Sequence, residues 1–355
     1  MQSWQVDIGL LMVSLVWGVT FVLVKDATAG IGPLPFIFLR FVVGSACLLP
    51  FVLAGARRRA GRRGRPGAPG QPAGPGGPGQ PSLLVAGAAV GLAMFTGFVF
   101  QTVGLQFTTP AKAAFITGLS VVIVPLISRR VARQAPPAAA WAGVALAAAG
   151  MGLLTLRGRL VPEAGDLLVL VCAFAFAFHI AIVGRFAARF DAVALSLAQT
   201  GTVATLSGAM AVGLTLAAGP VSGLTVAVAV AGAAGAGAVA GAGGVASAGA
   251  GGAGLAALLP LPLPAAVWFA LLFTGVLATA GTTLVQTAMQ RFTSPTRTAL
   301  IFATEPVFGA LFSRALTGEV MGPQALAGGA LIIAGMLLAE LLPGRGATRR
   351  RAPGG

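Results

Sequence analysis

Apolar residues recur along this chain in ten blocks of roughly twenty, separated by short polar, arginine-rich or glycine-rich intervals. The blocks lie near 7–25, 34–54, 83–103, 111–128, 138–156, 165–184, 192–217, 265–288, 296–316 and 322–342. A helix rises about 1.5 Å per residue, so about twenty apolar residues cross about 30 Å of hydrocarbon. The pattern predicts ten membrane-spanning helices. Most intervals are too short to hold a soluble domain.

Two intervals are long. Residues 57–81, RRRAGRRGRPGAPGQPAGPGGPGQP, carry glycine without a three-residue period, which excludes a collagen helix. They lack the apolar side chains of a core, and a disordered basic loop is expected. Residues 219–263 run through AGAAGAGAVAGAGGVASAGAGGAG and hold no charge. Glycine is a poor helix former, and Ala and Gly gain little by entering lipid. The tract is expected to be a low-complexity insertion between spans seven and eight, not an eleventh span.

Composition agrees. Hydrophobic residues make up 57% of the chain, charged residues 9%, and mean hydropathy is +0.92. Soluble proteins carry about a quarter charged residues, so lipid is the expected solvent. The net charge of +15 is spread in short arginine clusters between apolar blocks, with no basic face for nucleic acid. With the N-terminus in the cytoplasm, most basic residues fall inside. They are Arg57, Arg58, Arg59, Arg62, Arg63, Arg65, Arg129, Arg130, Arg133, Arg185, Arg189, Arg291, Arg297, Arg345, Arg349, Arg350 and Arg351. Lys25, Lys112, Arg157, Arg159 and Arg314 remain outside. This bias predicts both termini in the cytoplasm. The start, MQSWQVD, has no basic region or cleavage site, so the first span is expected to be retained. Cys47 and Cys172 sit inside apolar blocks and read as small packing residues.

The chain repeats itself. Gln101 matches Gln286, 185 residues on, and at that offset Phe107 meets Phe292, Pro110 meets Pro295, and Lys112 meets Arg297. Gly150 and Met151 meet Gly335 and Met336, and the match runs ungapped to Leu156 and Leu341. Each half, 7–156 and 165–342, holds five spans, followed by a basic tail over 343–355. Five is odd, so the second half enters the membrane inverted. Inverted repeats place a site at their interface near the midplane. The expected fold class is therefore all-α integral membrane, with ten transmembrane helices as two inverted five-helix repeats.

Charge within lipid is costly, so intramembrane ionisable residues are the first site candidates. Glu305 lies within the ninth span beside Pro306, which frees a backbone carbonyl one turn earlier. A carboxyl there could take a proton, a cation or a substrate amine, or hold the kink open. Arg40 in the second span needs an anion, a carboxylate such as Glu305, or water. Trp17 and Gly18 sit mid-span and suit either close packing or ligand contact. Gln101 and Gln286 occupy equivalent depths. His179 is the sole histidine and Lys25 and Lys112 the sole lysines; a relay or ligand role competes with a satisfied core histidine and snorkelling lysines. There is no GxxxxGK[ST], metal-ligand cluster or nucleophile–base pattern, so no cofactor is expected. Transport would run on a proton or ion gradient or by exchange.

WGVTFVLVK (17–25), PFIFLR (35–40), the repeated QTxxxxFT[TS]P, TEPVFGALFSRALTGE (304–319) and GGALIIAGMLL (328–338) together resemble the EamA-domain transporters of the drug/metabolite transporter superfamily. The resemblance covers the chain except 57–81 and 219–263. It implies a ten-helix inverted-repeat fold that moves metabolites, amino acids or drug-like solutes across the bacterial inner membrane, often outward. By motif, Trp17, Gly18, Lys25, Arg40, Glu305, Pro306 and Glu319 occupy family-typical positions. Two other readings stay open: a membrane enzyme on lipid or prenyl substrates, and a non-transporting sensor or scaffold. The eight acidic residues are scattered, not paired as such an enzyme needs, and no folded soluble domain is foreseen for signalling.

The topology is directly testable. A reporter that fluoresces only in cytoplasm, fused after Gly355, should light up, and a periplasmic phosphatase fused there should stay silent. The reverse pattern would remove both the ten-span count and the inverted repeat.

Overall fold

The computed structural model describes residues 2–63, 81–130, 136–155, 163–218, 263–317 and 322–341. All regular structure among them is helical, in ten passages. Spans one to three are Ser3–Ile31, Pro33–Arg63 and Leu83–Gly104; spans five to seven are Ala138–Thr155, Ala164–Phe186 and Ala192–Ala218; the tenth is Pro323–Leu341. Six passages are long and apolar enough to cross a membrane, and Ala138–Leu153 and Leu326–Leu338 are shorter apolar helices. Large apolar side chains such as Leu84, Leu167, Phe174, Phe269 and Leu272 point outward. Water would not tolerate so much exposed hydrocarbon surface. This is an all-α membrane protein.

The remaining three spans are interrupted. The fourth is Pro110–Gly118 followed by Ser120–Arg130, and the ninth is Pro295–Phe302 followed by Glu305–Thr317. Both open alike: the hydroxyls of Thr109 and Ser294 accept from the backbone N–H of Lys112 and Arg297, and a proline follows each cap. Proline suits the first helical position because its missing N–H would have no partner there. Pro306 cannot donate to the Phe302 carbonyl, which breaks the ninth helix at Ala303 and Thr304. The eighth span is helical from Ala265 to Gln290, but its middle, Phe273–Gly281, is π-helical.

Element boundaries in the two halves obey the 185-residue offset. Thr109 corresponds to Ser294, and Ser120, where the fourth span resumes, corresponds to Glu305, where the ninth resumes. Packing across the halves is equally matched. The first span lies on the eighth and ninth, the sixth on the third and fourth, the second on the seventh, and the fifth on the tenth.

One expectation changes here. The second helix runs on through Arg57 to Arg63, residues assigned above to the disordered loop; alanine and arginine are good helix formers, and the first proline comes only at position 66. Of the rest of that loop, 64–80 lie outside the described residues, as do 219–262, Glu319 and the 342–355 tail.

Small residues let the backbones touch. A Cβ on Gly150 would lie 2.5 Å from the Gly328 carbonyl oxygen, and one on Gly335 would lie 2.5 Å from that of Gly143. Gly213, by contrast, has nothing within 4 Å. Gly335→Val should therefore cost about 1–3 kcal/mol through overpacking and lower the detergent-solubilised unfolding temperature. Gly213→Ala should leave it within error of the parent.

Candidate functional site

The interrupted helices surround the middle of the first span. Trp17 donates its indole N–H to the Ala278 carbonyl and the Thr282 hydroxyl, both at 3.2 Å. Its ring meets Phe302 edge-on, centroids 5.0 Å apart. Gly18 follows, and a Cβ there would come within 2.8 Å of the Gly309 nitrogen and 3.0 Å of the Glu305 carbonyl. The resumed half of the ninth span thus lies backbone to backbone on the first, and only glycine permits it.

Arg40, only 3% exposed, reaches the same place from the second span. Its Nε donates to the Thr279 hydroxyl at 2.7 Å and a terminal nitrogen to the Ala278 carbonyl at 3.0 Å. The guanidinium carbon sits 4.7 Å from the Phe98 ring centroid. The Ala278 carbonyl therefore accepts from Trp17, Arg40 and the Thr282 hydroxyl at 2.9 Å. A π-helical turn loosens the backbone ladder and leaves carbonyls open to such side-chain donors. Arg40 makes no ion pair with Glu305, contrary to one reading of the sequence. Carbonyl, hydroxyl and aromatic faces disperse its charge instead.

Glu305 is in a different situation. It opens the second half of the ninth span, where the helix dipole favours an anion. Among the described residues its carboxyl has neither hydrogen-bond nor ion-pair partner, and it is half-buried. The Cys172 thiol lies buried on the sixth span. Cys172 lies 3.8 Å from the Thr117 hydroxyl, which accepts from the Gln101 amide at 3.2 Å. Thr117 sits at the break of the fourth span. One turn before Glu305, the Ile301 carbonyl accepts from the Thr304 and Ser14 hydroxyls at 2.6 and 3.3 Å, tying the break to the first span.

The structure thus gathers Trp17, Gly18, Arg40, Glu305 and Pro306, with Gln101 at one edge. The other candidates lie elsewhere. The Lys25 ammonium donates to the Thr108 carbonyl at 3.0 Å, and Lys112 pairs with Glu163 at 3.1 Å, both where the fourth span begins. His179 is buried 2.9 Å from the Gln199 amide oxygen, and Gln199 donates to Thr287. The Gln286 amide donates to Gln290 at 3.0 Å. Both belong to a polar cluster of spans six to eight. Ala278, Thr279, Thr282 and Cys172 escaped sequence reading; a backbone carbonyl leaves no sequence signal, and a lone cysteine reads as packing.

The EamA-like transporter family matches residues 4–156 and 248–341. A protein of Archaeoglobus fulgidus named "Uncharacterized transporter" is 27% identical over 335 residues, covering 94% of this chain and 85% of that protein. A solved crystal structure of a protein, 17% identical, superimposes with a TM-score of 0.65 and spans 99% of this chain and 100% of that one. That likeness concerns the fold alone.

The Ala278 hub makes a stability prediction. Trp17→Phe and Thr279→Val each remove one donor or acceptor and should cost about 1 kcal/mol. Arg40→Met should unfold at a lower temperature than either, because it removes two hydrogen bonds at once, to Ala278 and Thr279, together with the guanidinium's contact with the Phe98 ring. Thermal unfolding in detergent measures all three, and an unchanged Arg40→Met would show that the hub does not support the fold.

Proposed function

The chain belongs to the EamA-like transporter family, and from that premise we propose that it is a secondary transporter whose substrate and coupling site is the region around Glu305. It is a multi-pass membrane transporter by family. The finer reading is that it moves small metabolites, amino acids or drug-like solutes outward across the bacterial inner membrane, with both termini in the cytoplasm and two inverted five-helix repeats. Coupling to protons or exchange would drive it.

One observation carries the site assignment: Glu305 is a carboxyl within the bundle, at the break of an interrupted helix, with no partner among the described residues. Unpaired ionisable groups at such depth are expensive, and interrupted helices in transporters supply groups that meet ligands. Trp17 and Phe302 border the same break, and aromatic faces favour cations. The chemistry suits a proton or a solute bearing a basic nitrogen.

Glu305→Gln keeps the shape and removes the charge. A panel of amines, amino acids and drug-like cations is screened for thermal stabilisation of the purified protein, and hits are assayed for uptake or efflux in proteoliposomes. The variant should fold, yet lose stabilisation by basic hits and transport them at least tenfold more slowly, or lose the pH dependence of transport. Transport equal to the parent at every near-neutral pH tested would make Glu305 a structural residue at a proline break.

A further inference from the structure

Away from the central site, two ionic clusters are built from equivalent residues. At one, Arg297 on the ninth span pairs with Asp7 on the first at 2.6 Å. At the other, Lys112 on the fourth span lies 3.1 Å from Glu163 and 3.9 Å from Asp166 at the start of the sixth. Lys112 and Arg297 obey the 185-residue offset, and so do Thr108 and Thr293. Asp7 and Asp166 are 159 residues apart, as are Pro33 and Ala192, which open the second and seventh helices. The difference between the two offsets is absorbed between spans seven and eight, where the Ala/Gly tract lies. Each cluster is thus an aspartate, a threonine and a basic residue, and each ties one half of the chain to the other.

The clusters mark opposite ends of the bundle. Lys25 donates to the Thr108 carbonyl, so it belongs to the Asp166 end. It also lies eighteen residues beyond Asp7 on one unbroken helix, about 27 Å along its axis. That is close to the thickness of the hydrocarbon core.

Their states differ. The Thr108 hydroxyl donates to Asp166 Oδ1 at 2.6 Å. The corresponding atoms at the other end, Thr293 Oγ1 and Asp7 Oδ1, are both buried without a hydrogen-bond partner. A bond made at one end is missing, atom for atom, at the other. Buried orphan groups are unfavourable, and their mutual bond is the relief that the equivalent geometry offers.

Resting on the transporter reading, we propose that the Asp166–Thr108–Lys112 and Asp7–Thr293–Arg297 clusters are the two gate latches of an alternating-access cycle. Each threonine–carboxylate bond forms as its end closes and breaks as that end opens. This structure is fully latched at the Asp166 end and half-latched at the Asp7 end.

Native Cys172 on the sixth span, 3.8 Å from the Thr117 hydroxyl at the break of the fourth, reports which end is open. The full-length chain with Cys47→Ser is reconstituted in vesicles of one orientation and exposed to a charged, membrane-impermeant thiosulfonate from either side. The parent should react from both sides. Asp166→Asn and Thr108→Val should each raise the ratio of labelling through the Asp166 end to labelling through the Asp7 end. The expected change is roughly tenfold, as for loss of one charge-assisted hydrogen bond. Asp7→Asn should shift the ratio the opposite way, and Thr108→Ser, which keeps the hydroxyl, should behave like the parent. If the parent reacts from both sides but the aspartate and valine variants leave the ratio unmoved, or move it in one common direction, the latches are wrong and the transporter reading stands. Reaction from one side only, or from neither, in every variant overturns both.

Discussion

In hydrocarbon there is no water to satisfy a backbone group, so a membrane helix can be interrupted only where its neighbours take over the freed hydrogen bonds. The centre of this protein depends on that constraint. Among the described residues three of the ten helical passages are irregular, and in the eighth and ninth a freed backbone carbonyl is answered by a side chain from another span. The π-helical stretch of the eighth receives Trp17 and Arg40 on Ala278. The break in the ninth receives Ser14 on Ile301. The break in the fourth carries Thr117, which accepts from Gln101. Lipid excludes irregular backbone from the outside and so gathers it inside, where polar groups can meet a solute.

The same constraint explains what was legible in the sequence. Ten apolar blocks, ten helical passages and the 185-residue register could all be read, because burial in lipid writes itself into every position of a span. Pro306 announced the ninth-span break, since a missing N–H has one structural consequence wherever it falls. Which spans touch could not be read. Arg40's need for an anion invited a pairing with Glu305 that the structure does not make, because side-chain direction about a helix axis is set by neighbours. The Ala278 carbonyl, which accepts three donors, carries no residue-type signal. Asp7 and Asp166 looked like two scattered acids until their partners showed them to be counterparts.

Sequence likeness between the halves is greatest in scaffold and least in chemistry. The fourth and ninth spans open with the same cap and proline and resume at equivalent positions, yet the fourth resumes with Ser120 and the ninth with Glu305. Gln101 and Gln286 are equivalent in sequence, but one reaches Thr117 near the centre and the other joins the buried amides of spans six to eight. Halves that share a sequence register can keep equivalent glycines and caps while other residues between them differ, because backbone packing tolerates no change at the first.

Arg40 and Glu305 show how function can be told from architecture among buried charges. Arg40 has a hydroxyl, a carbonyl and two aromatic rings around it, all supplied by the second, third and eighth spans. Its desolvation is met by the resting structure, and its loss would be felt as lost stability. Glu305 has only a helix N-terminus and stands at a break braced by the first span. Beyond that helix N-terminus no described group offsets the cost of its charge, which is why the proposed site assigns the compensation to a proton or cation that arrives. A group whose partner arrives and departs is what a transport cycle requires. A group satisfied in place belongs to the frame, and the two are different kinds of residue although both are ionisable and lie within apolar spans.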